Sequence, residues 1–63
     1  MATGDVETYY ASGAWHNRIV GRGELPGTHL SRQEAVRVGS DVAVARHVHH
    51  QVRYVGGAHR ERA

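Results

Sequence analysis

The hydrophobic period changes three times along this chain. Val6 to Ala11 alternates loosely and carries Thr8, Tyr9 and Tyr10, residues that suit a pleated strand. Ser12-Gly13 marks a turn, and Ala14 to Val20 reads as a second strand, close enough to the first to make a hairpin. On the second strand Trp15, Asn17 and Ile19 share one face, and His16, Arg18 and Val20 share the other. The Trp15 face is assigned to the core, where Asn17 is awkward because a buried amide needs partners. Gly21 to His29 contains Gly21, Gly23, Gly27 and Pro26 and reads as a loop.

A helical period follows. Ser31-Arg32-Gln33-Glu34 has the form of a capping box, in which the Ser31 hydroxyl accepts from the Glu34 backbone N–H and the Glu34 carboxylate reaches back to the Ser31 N–H. The helix is expected from Arg32 to Arg46 or His47. Ala35, Val36, Gly39, Val42, Ala43 and Arg46 fall within an arc of roughly 120° at 100° per residue. Gly39 costs about 1 kcal/mol of helix propensity relative to alanine. A glycine on the buried arc fits a helix lying close against a bulky ring, and Trp15 is the candidate ring. Val38 sits at the edge of the arc beside Ala45, and Val44 lies nearly opposite. These three make the candidate partner-facing surface.

The last change returns to a period of two. His49 to Val55 reads as a strand, with His50, Val52 and Tyr54 on one face and Gln51, Arg53 and Val55 on the other. Gly56-Gly57 is a hairpin-type turn, after which residues 58–63 either pair back as a short strand or end as a polar tail. Residues 1–4 are expected to be disordered. The order β-β-α-β(-β) predicts an α+β fold in two layers: an antiparallel three-stranded sheet, with room for a short fourth strand, and one helix packed on one face. The expected core is Trp15, Ile19, Ala35, Val36, Gly39, Val42, Ala43 and Val52.

Composition sharpens this picture. With 63 residues the chain is a single small domain, 1–63. It has no cysteine, no phenylalanine and one tryptophan, so disulfides are excluded and the core is thin. Scaffolds of this size commonly gain stability from a partner subunit. Eight arginines stand against six acids. Residues 1–31 carry a net −1 and residues 32–63 a net +3, an asymmetry that permits nucleic-acid contact without demanding it. No apolar run approaches the ~20 residues needed to span a bilayer. Met1 to Asp5 lacks the basic and apolar regions of a signal peptide, so a cytoplasmic location is expected.

The candidate chemistry is sparse. His47, His49 and His50 cluster, but His16, His29 and His59 are scattered, and neither cysteine nor a helical H-x₃-H is present. Surface histidines are expected, with no metal or other cofactor. Ser31 is accounted for as a cap, no G-x-S-x-G elbow occurs, and no carboxylates are paired for acid–base work. Gly21-Arg22-Gly23 is too short for a phosphate loop. Neither an enzyme nor a small-molecule substrate is therefore expected. Two surface functions remain. One is homodimerisation, favoured by the thin core, the open strand edges and the surplus valines. The other is nucleic-acid binding through His16, Arg18, Arg53, Arg60 and Arg62, where Gln51 also lines the sheet face away from the helix and tyrosines lie near.

Val6-Glu7-Thr8-Tyr9-Tyr10, Trp15-His16-Asn17-Arg18, Gly21, Ser31 to Val36, Gly39, Val48 to Arg53, Gly57 and Glu61-Arg62 occur here in an order and spacing that resembles domain-of-unknown-function family 2188. The resemblance covers nearly the whole chain from Asp5. It implies a small cytoplasmic protein of a kind frequent in actinobacteria, and it brings no activity, cofactor or catalytic residue. Gly56 replaces the acidic residue usual before the glycine of the closing hairpin, and His59 replaces an apolar residue of the last strand.

Overall fold

The computed structural model describes residues 2–54, the last of them by its backbone. Two strands, β1 (Val6–Ala11) and β2 (Ala14–Ile19), are followed by a two-residue strand β3 (Gly23–Glu24), a helix α1 (Arg32–Arg46) and a strand β4 (His50–Tyr54). The sheet order is β3-β2-β1-β4, with α1 on one face, so the fold is α+β as the periodicity predicts. The hairpin turns at Ser12 and Gly13, with φ of 54° and 81°. Positive φ at both central residues is what a two-residue turn needs to match the strand twist. That turn sets the register Ala11↔Ala14, Tyr10↔Trp15, Thr8↔Asn17 and Glu7↔Arg18.

The sheet departs from the antiparallel expectation at β4, which pairs parallel to β1, Val6 opposite His50 and Thr8 opposite Val52. The reason lies in the segment expected to be only a loop. Gly23–Glu24 pairs with β2, Leu25 N–H donates to Asn17 O, and Trp15 and His29 exchange both backbone bonds. The chain thus walks back along β2 to the hairpin end before α1 begins. The helix then crosses the sheet and delivers the chain beside the start of β1, where Val6 N–H donates to His49 O. A strand starting there can only run alongside β1. The fourth strand of the sheet is therefore β3, and the short strand expected over 58–62 lies outside the described residues.

Residues 2–4, expected to be disordered, are bonded into the fold. Gly4 N–H donates to Val20 O at 2.8 Å, and Ala2 N–H donates to Asp5 Oδ2 at 3.1 Å. Asp5 is buried, and its Oδ1 accepts from His49 N–H at 3.2 Å, tying the N-terminal segment to the lead-in of β4.

The helix begins as predicted, with Ser31 Oγ accepting from Glu34 N–H at 3.1 Å. The Glu34 carboxylate differs from a capping box: it lies 3.7 Å from His29 Nδ1. At the other end His47 adopts the left-handed conformation at φ 59°, and the N–H groups of His47 and Val48 return to Val44 O and Ala43 O. This is a Schellman termination, usually served by glycine.

Of the expected core, Trp15, Ile19, Ala35, Gly39 and Ala43 are buried, while Val36, Val42 and Val52 are half-buried. Val6, absent from the expected set, is fully buried. The role of Gly39 also differs. A Cβ there would stand 2.5 Å from Asn17 Oδ1, 2.6 Å from Thr8 Oγ1 and 2.9 Å from His50 Nε2, so the nearest neighbours of Gly39 form a polar seat and the Trp15 indole is not among them. Asn17 Nδ2 donates to Ala35 O, so its Oδ1 is the acceptor for the Thr8 hydroxyl. Having given its one proton to Asn17, Thr8 accepts from His50 Nε2, 2.7 Å away. The neutral imidazole therefore carries its proton on Nε2. Trp15 packs edge-on against Tyr10, with ring centroids 5.3 Å apart.

Two outcomes follow. Gly39→Ala gains helix propensity of about 1 kcal/mol, but the methyl has no room, and overpacking costs about 1–3 kcal/mol. A lower melting temperature is expected, and an unchanged or raised one would contradict the seat. Burial lowers the pKa of His50 below its ordinary 6.5. As pH falls below that value the unfolded chain takes up the proton first, so stability falls until the folded-state pKa is passed. Between about pH 7.5 and pH 5 the wild type is expected to lose more melting temperature than His50→Gln, measured by circular dichroism. Equal losses would remove His50 from the linkage.

Candidate interaction surface

The sheet face turned away from α1 is built from three strands. Register places Glu7 between Arg18 on β2 and Gln51 on β4, and Tyr9 between His16 and Arg53. Ala11 and Ala14 complete the hairpin end with small side chains. His16, Arg18, Gln51 and Arg53 thus come together as the alternation predicts. Arg60 and Arg62 lie outside the described residues.

Glu7 organises this face. Its side chain is only 2% exposed although no layer of the described residues covers it. Arg18 Nε stands 2.7 Å from Oε1 and Arg53 Nε 2.7 Å from Oε2, so one carboxylate is shared by guanidiniums from both neighbouring strands. A buried carboxylate is costly unless paired and hydrogen-bonded, and here both oxygens are engaged. The arginines shield it while staying 41% and 49% exposed themselves. The hydrogen bond that Arg18 donates to Glu7, and the Glu7 charge, raise the pKa of Arg18, which keeps it cationic throughout.

An aromatic pair adjoins this clamp. Tyr9 and His16 stack at 5.3 Å between centroids and 25° between planes, and the Arg18 guanidinium carbon lies 5.4 Å from the Tyr9 centroid. His16 Nε2 is 3.0 Å from Ala11 O, and the Tyr9 hydroxyl donates to Glu24 on β3. Burial and the Glu24 bond raise the pKa of Tyr9, keeping its hydroxyl protonated as a donor.

The other sequence candidates are dispersed. Val44 is 71% exposed, Ala45 is exposed and Val38 is half-buried. Val38 and Ala45, seven positions apart, share a helix flank, but Val44 lies about 100° round from Ala45, so the three make no single patch. The histidines are also divided: His16 and His50 are engaged as above, His29 faces Glu34, and His47 occupies the helix end. Among the described residues no three His, Asp or Glu side chains converge as metal ligands would.

Sequence reasoning missed Glu7. Counting back from the Ser12-Gly13 turn places it opposite Arg18, and that cross-strand pair is the signal that finds it. Comparison with protein-family models, curated proteins and solved structures finds no match. The likeness to family 2188 therefore stays a resemblance.

The clamp makes a measurable demand. Arg53→Gln leaves one Glu7 oxygen without its charged partner and is expected to cost about 1.5–3 kcal/mol in urea unfolding. Adding Glu7→Gln is expected to recover part of that loss, as coupled neighbours do. Strictly additive losses would mean that the two side chains do not communicate.

Proposed function

We propose that this chain is a non-enzymatic interaction module that works as a homodimer, with β4 as the twofold contact. The observation that carries the reading is the position of β4 at the edge of the described sheet. Val6 N–H donates to His49 O, so in a parallel ladder the backbone groups of His50 and Val52 turn outward. Exposed edges of this kind invite a further strand. A second β4 laid antiparallel about Val52 would set Val52 against its own copy and Gln51 against Arg53, with no like charges opposed. The thin core supports the same reading: among the described residues the buried apolar side chains are Val6, Trp15, Ile19, Ala35 and Ala43.

Light scattering is expected to give a mass near twice 6.9 kDa, with a melting temperature that rises with protein concentration. Because the chain has no native cysteine, Val52→Cys reports the contact through a disulfide formed under mild oxidation. A monomer at every concentration would end the proposal and favour residues 58–62 as the occupants of this edge. A dimer that never crosslinks through position 52 would place the contact elsewhere.

A further inference from the structure

We infer that the open sheet face carries a binding site for single-stranded nucleic acid, centred on Arg18 and Arg53. The site lies within one chain and on a different surface from the β4 edge, so it does not depend on self-association.

Three features of the face support it. First, the cations are fixed in place. Each guanidinium is held at Nε by the buried Glu7 carboxylate, which leaves its terminal nitrogens for a ligand. Neither has another hydrogen-bond or ion-pair partner among the described residues, and guanidinium forks suit phosphate oxygens. Second, the charge is directed. Glu7 is covered by the two arginines, so the three groups sum to +1 and present their positive ends to solvent. Glu24, the next acid, is engaged by the Tyr9 hydroxyl at the β3 rim. Third, the half-buried Tyr9–His16 stack lies in the row next to Arg18 and beside Arg53 across the strands, leaving part of its ring surface open to bases. Cations alternating with aromatic surface on an exposed sheet are what a flexible strand of phosphates and bases recognises. The flat alanine end at Ala11 and Ala14 leaves its approach unobstructed.

Fluorescence polarisation with labelled oligo-dT and oligo-U of about 15 nucleotides tests the site on the full chain. Binding at about 50 mM salt that weakens steeply by about 200 mM is expected, and the two oligonucleotides separate DNA from RNA preference. Each arginine that meets a phosphate contributes about 0.7 to the salt slope, so Arg18→Gln with Arg53→Gln is expected to reduce the slope by about 1.4. If that variant does not fold, the triple variant with Glu7→Gln removes the stranded carboxylate and is read in its place. Arg37→Gln, on the exposed side of α1, is the control expected to bind as wild type. The assignment is overturned by absence of binding at low salt, by an unchanged slope in the clamp variants, or by equal competition from polyglutamate, which would reveal a general anion patch.

Discussion

The helix of this protein rests on a polar seat, and the architecture follows from how closely it sits. A residue without a side chain faces the sheet at Gly39, where Thr8, Asn17 and His50 leave no space for a methyl group. Three strands contribute one group each to that seat, so its hydrogen bonds are complete only when β1, β2 and β4 stand in their observed registers. In a chain with few large apolar residues, a satisfied polar network specifies one arrangement where hydrophobic packing alone would allow several. The helix covers this side of the sheet, and the opposite side is left to a second polar construction.

That second construction is the Glu7 clamp. Both devices cross the same three strands, one on each face, and both link the hairpin to β4. They differ in solvent access. The seat is closed by α1, whereas the clamp closes itself with the stems of its own arginines, leaving their ends outside. A side chain can in this way hold strands together and still meet a ligand. This makes the open face both the mechanical tie of the sheet and its most chemically equipped surface.

Much of this was legible in the residues. The Ser31 cap, the helix span, the hairpin turn and the burial of Trp15 followed from local signals that act within a few positions. So did the grouping of His16, Arg18, Gln51 and Arg53, because strand alternation is a strict period. Three features were hidden. The direction of β4 depends on where residues 20–30 run, and a glycine-rich stretch carries no periodicity from which to read a path. The seat beneath Gly39 depends on a residue more than forty positions from Thr8, so no local window contains it. Glu7 and Arg53 are similarly distant in sequence, and an acid within a strand looks like any solvated residue until both neighbours are known.

The parallel pairing of β1 with β4 also sets an order of assembly. Asp5 and His49, joined by a hydrogen bond in the finished protein, are 44 residues apart. The hairpin can close as soon as β2 exists, but the inner edge of β1 must wait for almost the whole described chain before its partner arrives. Contacts between distant positions are slow to form because the intervening loop must first lose its freedom. During synthesis β1 emerges well before β4 and is thus the later of the two inner strands to be flanked on both sides, and until then its free edge is open to capture by a chaperone or a neighbouring nascent chain.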